Sequence, residues 1–277
     1  MTKAMLIDTT RCIGCRGCQA ACKQWHDLPG ETTHNTGSYQ NPPWISGKTR
    51  TIVTFNELEQ DGQLDWVFAK RQCMHCEHPG CASACTVGAL HKTADGPVVY
   101  DSSICIGCRY CQYACPFDVP AYEWDEVLGL IGKCDFCVDR QAEGVEPACV
   151  KACPTEAITY GERDALLAEA HRRIATDPTA YVDHVYGEHE VGGTSMLYLA
   201  GVPFAALGFP VLRDEPVSAY TETIMGKTPV IALTVAAGAS ALYWIIKRRQ
   251  MNMALAEPVA MAAAADQPDE KSKEVAP

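Results

Sequence analysis

The 277-residue sequence lacks an excess of positive charge, a phosphate-cradling loop and an apolar leader. Its formal net charge of −11 argues against nucleic acid as a partner. No G-x-G-x-x-G precedes a helix and no P-loop occurs, so the common nucleotide-binding sites are excluded. Met1 to Arg11 contains neither an apolar h-region nor a twin arginine. The eight histidines are scattered along the chain. Unclustered cysteines are lacking too: all sixteen fall into four groups. A chain this long can bury a core without cysteine staples.

The groups are Cys12, Cys15, Cys18, Cys22; Cys73, Cys76, Cys81, Cys85; Cys105, Cys108, Cys111, Cys115; and Cys134, Cys137, Cys149, Cys153. Disulfides are disfavoured, because a bond within C-x-x-C is strained and disulfide scaffolds rarely repeat one spacing so strictly. Zinc ribbons use pairs of C-x-x-C and leave the close third and fourth cysteines without a role. The first and third groups carry C-x2-C-x2-C-x3-C intact, the bacterial ferredoxin run for a [4Fe–4S] cluster. The geometry explains the spacing. A tight loop delivers three thiolates to three corners of one cube, and the fourth cysteine, at a helix start, points to a different cube. Gly14, Gly17 and Gly107 are expected to supply φ > 0 and let backbone amides approach sulfur. Arg16 and Arg109 read either as charges beside the clusters or as solvated surface groups. His75 and His26 read as packed or solvated side chains, with sulfur hydrogen bonding as the alternative.

The sequence repeats. DTTRCIGC (Asp8–Cys15) returns as DSSICIGC (Asp101–Cys108), and CTVGAL (Cys85–Leu90) as CPTEAI (Cys153–Ile158). This predicts a duplicated unit with two clusters per copy and short antiparallel strands at Ala89–Leu90 and Ala157–Tyr160. The C-P ending of the ferredoxin run is kept at Cys115–Pro116 and Cys153–Pro154 and lost at Cys22–Lys23 and Cys85–Thr86. Thr51 to Lys70 alternates around Asp61–Gly62 as a β-hairpin does. Asp164–Ala175 reads as a short amphipathic helix, and Asn41-Pro-Pro-Trp44 as a loop.

Four such runs in this order resemble the four-cluster iron–sulfur subunits of molybdopterin oxidoreductases and membrane hydrogenases. CIGCRGCQAAC, QCMHCEHPGC, CIGCRYCQYACPFDVP, EPACVKACPTEAI and VGGTSMLYLAGVPF carry the likeness, over about Met5 to Pro210. It implies an α+β fold, a duplicated ferredoxin-like domain holding four [4Fe–4S] clusters, with iron bound by all sixteen cysteines. In that family the first run pairs with the fourth and the second with the third. Carried over, one cluster belongs to Cys12, Cys15, Cys18 and Cys153, and its neighbour to Cys22, Cys134, Cys137 and Cys149. A third belongs to Cys73, Cys76, Cys81 and Cys115, and the fourth to Cys85, Cys105, Cys108 and Cys111. Nitrate reductase beta subunits replace one cysteine by tryptophan and hold a three-iron centre; here all sixteen are cysteine, so none is expected. Four thiolates per cluster leave no open iron position, so the chain by itself is expected to be non-catalytic. The resemblance implies electron transfer from a large catalytic subunit. That subunit holds molybdopterin (Mo or W) in a respiratory formate dehydrogenase, or a [NiFe] centre in a membrane hydrogenase. The acceptor is a membrane cytochrome b or quinone-reducing subunit.

Thr228 to Ile246 is nineteen residues without charge, long enough to span a lipid bilayer. Lys227 and Lys247-Arg248-Arg249 bound it, and Tyr243 and Trp244 sit near one end. Ala232, Ala236 and Ser240 form a small-residue stripe that permits close helix packing and is also common helix filler. Met196 to Pro210 is broken by Gly201, Pro203 and Gly208 and reads as an extended strap. The expected domains are 1–190 (clusters), 191–226 (strap and linker), 227–250 (transmembrane helix) and 251–277 (disordered cytoplasmic tail). The basic end of the span places the C-terminus in the cytoplasm and the cluster domain in the periplasm, in a single-pass protein of the inner membrane. With no leader of its own, it is expected to be exported folded, with a partner that carries the signal.

Overall fold

Lys3–Asp8 (β1) is a run of apolar residues and not an alternating one, because both of its faces are covered. The computed structural model describes residues 2–60, 62–124 and 129–265. In it β1 is the middle strand of three. Ile158–Glu162 (β8) pairs with it antiparallel, and Met196–Leu199 (β9) pairs with it parallel. The period of two divides these strands between two cores. Met5, Ile7, Met196 and Tyr198 face the larger core, which includes Cys18, Cys73, Cys134 and Cys149. Ala4, Leu6, Leu197 and Leu199 face the other way, onto a helix, Arg163–Thr176 (α6). That helix presents Leu166, Ala170 and Ile174 at intervals of four, one face of an α-helix.

The remaining elements are short. Gly17–Trp25 (α1) follows the first cysteine run. Ile52–Gln60 (β2) and Gln63–Arg71 (β3) form the expected hairpin in continuous register. The strands join through a two-residue connection in which Gly62 has φ 75; Asp61 lies outside the described residues. Gly80–Ser83 (α2), Leu90–Lys92 (β4), Val98–Tyr100 (β5) and Tyr110–Tyr113 (α3) form the middle of the chain. Ala121–Tyr122 (β6), Ile131–Gly132 (β7), Val138–Ala142 (α4) and Ala148–Lys151 (α5) lead back to the central sheet. Helix α1 packs on α5, and α2 on α3.

The internal repeat is visible in atomic detail. Asp8 Oδ1 accepts from the backbone N and hydroxyl of Thr10 at 3.1 and 2.6 Å. Asp101 Oδ1 accepts from the same groups of Ser103 at 2.9 and 2.6 Å. Gly14 and Gly107 both have φ 67. Gly17 does not take the left-handed conformation expected of it. Arg16 and its counterpart Arg109 do, at φ 59 and 65, each immediately before a helix. Gly17 is needed for space, since a Cβ there would come within 3.1 Å of the Ala152 carbonyl oxygen.

Two compact units emerge, Met1–Ala219 and Tyr220–Pro277. The run Met196 to Pro210, expected as a strap, begins as a strand in the first unit's core: every residue of β9 has zero exposure. Strand pairing to β1 satisfies its backbone, which a glycine- and proline-broken apolar run does not announce. Among the described residues the second unit is one helix, Ala219–Ala265 (α7). Between Val230 and Ile246 it is apolar on every side and its large side chains are exposed. The stretch Thr221–Ala254 is long and apolar enough to cross a membrane. Lys247 and Arg248 lie over the rings of Tyr243 and Trp244, at 5.5 and 5.2 Å. The helix also continues through Ala265, into the segment 251–277 expected to be disordered. Residues 266–277 lie outside the described residues.

Asp8 ties the sheet to α6. It is fully buried, and its Oδ2 accepts from Arg173 Nη1 at 3.0 Å and from the Tyr181 hydroxyl at 2.9 Å. Asp8→Ala removes the acceptor of both Arg173 Nη1 and the Tyr181 hydroxyl, leaves Arg173 only its bond to Glu169, and is expected to lower stability by about 2 kcal/mol. An earlier far-UV circular dichroism transition in guanidinium chloride measures this, with no change expected for the exposed Asp65→Ala.

Candidate functional site

The sixteen cysteines gather into four places, and none is in a disulfide. Cys12, Cys15, Cys18 and Cys153 line one small cavity with Ile7, Val53 and Lys70. Cys85, Cys105, Cys108 and Cys111 line another with Leu90, Tyr100 and Ile131. The other eight divide by proximity. Cys76 is half-buried; burial pushes its thiol well above the ordinary range, and nearby Cys73, Cys115 and Cys81 add to the shift. Cys137 is pushed up to about 12 by burial first, with Cys149 and Cys22 among its neighbours. Cys134 is likewise raised by burial, with Cys22 beside it.

The four places are contiguous. Cys18 feels Cys149, Cys134 feels Cys73, and Cys81 feels Cys111. Each of these pairs joins one place to the next, so the order is a line. The packing of α1 on α5 and of α2 on α3 brings first-run to fourth-run cysteines and second-run to third-run cysteines.

Burial dominates the chemistry. It raises Cys18 and Cys81 to about 12, and Cys22, Cys111 and Cys115 to about 11. As free thiols these groups stay protonated at neutral pH, and a soft cation must displace the proton to stabilise the thiolate. Backbone amides assist. Gly17 N lies 3.5 Å from Cys15 Sγ, Gly107 N 3.4 Å from Cys105 Sγ, and Phe136 N 3.4 Å from Cys134 Sγ. Three thiols on a tight turn plus one from elsewhere, in a dry cavity with amides aimed at sulfur, fit an iron–sulfur cube.

The flanking groups take definite roles. Arg16 and Arg109, both half-buried, line the two outer cavities. Arg16 lies 4.6 Å over Phe55, and Arg109 lies 4.1 Å over Tyr122 and 4.2 Å over Trp124. His75 is fully buried and its pKa falls well below the usual imidazole value, through burial and then the charge of Lys133. Its Nδ1 accepts from Val98 N at 2.9 Å, and its ring sits 5.0 Å from Phe136. His26 Nε2 lies 3.8 Å from Cys137 Sγ and 3.4 Å from Asp135 Oδ1. Sequence reasoning missed Lys70 and Lys133. Both are buried among the cysteines, yet in the sequence one is a hairpin end and the other a loop residue. The one available signal was a lysine next to a C-x-x-C.

Two models of a 4Fe-4S dicluster domain match the chain, at residues 11–89 and 64–163. A protein of Nitratidesulfovibrio vulgaris is 42% identical over 275 residues, covering 97% of this chain and 74% of the relative. The formate dehydrogenase, nitrate-inducible, iron–sulfur subunit of Escherichia coli K12 is 44% identical over 199 residues, 71% of this chain and 67% of the relative. The hydrogenase-2 operon protein HybA of Escherichia coli O157:H7 is 34% identical over 285 residues, 90% of this chain and 85% of the relative. The chain therefore spans about two thirds of the length of the formate dehydrogenase subunits it matches.

Four [4Fe–4S] clusters account for the sixteen thiols. Anaerobically purified protein is expected to hold about sixteen irons and to show an EPR signal after dithionite. Stripping the iron with a chelator is expected to make residues 2–219 protease-sensitive, because the buried thiols lose the charge that offsets their desolvation. Limited trypsin digestion with and without chelator reads this directly.

Proposed function

The chain belongs to the family of iron–sulfur electron-transfer subunits built from 4Fe-4S dicluster domains, and from that membership we propose that it serves a membrane formate dehydrogenase. Electrons enter from a large molybdopterin subunit that oxidises formate. They leave to a membrane partner that carries cytochrome b or reduces quinone. The observation that carries this reading is the unbroken line of four cysteine groups, with 44% identity to a formate dehydrogenase iron–sulfur subunit. A membrane hydrogenase with a [NiFe] large subunit is the second reading, favoured by the 85% coverage of HybA.

The ligand sets we assign are Cys12, Cys15, Cys18 and Cys153; Cys22, Cys134, Cys137 and Cys149; Cys73, Cys76, Cys81 and Cys115; and Cys85, Cys105, Cys108 and Cys111. The two shared cavities and the α1–α5 and α2–α3 packing support this division. When bound, the clusters supply reversible one-electron chemistry. The chain holds them in a row, excludes water from them and aims amides at their sulfurs. Ile13 and Trp25 are exposed near the first group, and Ile104, Ile106, Tyr110 and Tyr113 near the last. Exposed apolar side chains at both ends of the line are what docking of a donor and an acceptor requires.

Helix α7 fits a single-pass anchor in the inner membrane. Charged Lys247, Arg248 and Arg249 after its apolar stretch support a cytoplasmic C-terminus, with the cluster unit in the periplasm. A membrane span also explains exposed apolar side chains on all sides of one helix.

Affinity purification of the full chain from membranes tests the partner. Formate is expected to reduce the clusters of the co-purified complex, while hydrogen gas leaves them oxidised; the reverse result selects the hydrogenase reading. For the ligand sets, Cys15→Ala and Cys153→Ala are each expected to remove the same EPR signal, and Cys22→Ala a different one. For orientation, external protease is expected to remove the cluster unit from spheroplasts and leave the C-terminus intact.

A further inference from the structure

Lys70 is the most unusual polar group in the first unit. It lies on β3, opposite Val53 in the hairpin, and only 2% of its surface is exposed. Its Nζ is buried and has no hydrogen-bond partner among the described residues. The backbone around it is fixed, since the Tyr198 hydroxyl, itself fully buried, donates to the Lys70 carbonyl oxygen at 2.9 Å. A buried ammonium without partners is costly, and such groups survive where an anion completes them.

The anion is close at hand. Lys70 lines the cavity shared by Cys12, Cys15, Cys18 and Cys153. Its charge also reaches the second group: it favours the thiolates of Cys22 and Cys134 as well as those of Cys12 and Cys18, against the burial that opposes them. The buried lysine nearer the third group is differently engaged. Lys133 Nζ donates to the carbonyl oxygens of Val98 and Cys134.

We propose that Lys70 is a tuning residue shared by the first two clusters, its ammonium donating to their sulfur atoms and raising both reduction potentials. Reduction adds one negative charge to a cluster, so a fixed cation beside it stabilises the reduced form. One lysine beside two cubes acts on both: an electron on either gains from the same charge. The end of the line formed by the first and fourth cysteine runs thus holds electrons more strongly than its thiolates alone allow. This rests on the ligand sets assigned above.

Lys70→Met removes the charge and keeps the volume. In EPR-monitored redox titration, two of the four one-electron steps are expected to fall, each by at least the 59 mV that a tenfold change in a one-electron equilibrium represents. The other two stay, and Lys70→Arg restores most of the shift. Four unmoved steps in K70M protein with full iron content, or four equal shifts, overturn the proposal. Should K70M fail to load iron, the wild-type protein decides. With 15N only in lysine side chains, electron spin-echo modulation of the reduced protein is expected to show nitrogen coupling to a cluster. Its absence, or its persistence in K70R, overturns the proposal. Failure of the ligand sets would appear separately, as Cys15→Ala and Cys153→Ala removing different EPR signals.

Discussion

A thiolate in a dry cavity is unstable unless a cation sits beside it, and many of the sixteen cysteines of this chain are buried. Burial raises the thiols of Cys18, Cys22, Cys81, Cys111 and Cys137 and so favours their protonated form until iron takes the proton's place. The same exchange ties distant parts of the chain together: Cys12 and Cys153 share a cavity, although most of the first unit lies between them. Cluster assembly and folding are therefore one process in this protein, as in other small metal domains. The short helices and two-residue strands of the middle region are consistent with that, since elements of such length have little stability of their own.

The three-stranded sheet supplies the framework against which the cysteine turns are set. Its strands send alternate side chains to two cores, one against the cysteines and one against α6. The helix shields the far face, and Asp8 locks it in place through Arg173 and Tyr181. The near face becomes a rigid floor on which the first cysteine turn is set, directly after Asp8 and Thr9.

Charge is distributed along the line with the same economy. The two outer arginines are held against aromatic rings, which keeps them beside their cavities. His75 is kept neutral in the interior, next to Phe136. The Lys70 ammonium is buried without a hydrogen-bond partner among the described residues, where its field acts at low dielectric and is worth most.

What the sequence by itself determined follows from strict local geometry. A C-x2-C-x2-C turn can do little else than present three thiolates to one cube, so the cofactor and the number of sites were legible from spacing. The hairpin at Thr51–Lys70 and the helix at Asp164–Ala175 were legible from their periods, and the long apolar helix from its uncharged run. Tertiary structure alone decided what depends on distant partners. Met196–Leu199 became a buried strand because β1 offered it an edge, which no local pattern in a glycine-broken run reveals. Arg16 and Arg109, and not Gly17, take the left-handed turn before their helices, while the Ala152 carbonyl packed against Gly17 leaves little room for a side chain there. Lys70 only ends the hairpin in the sequence, and its burial beside the first cysteine run and Cys153 belongs to the tertiary structure.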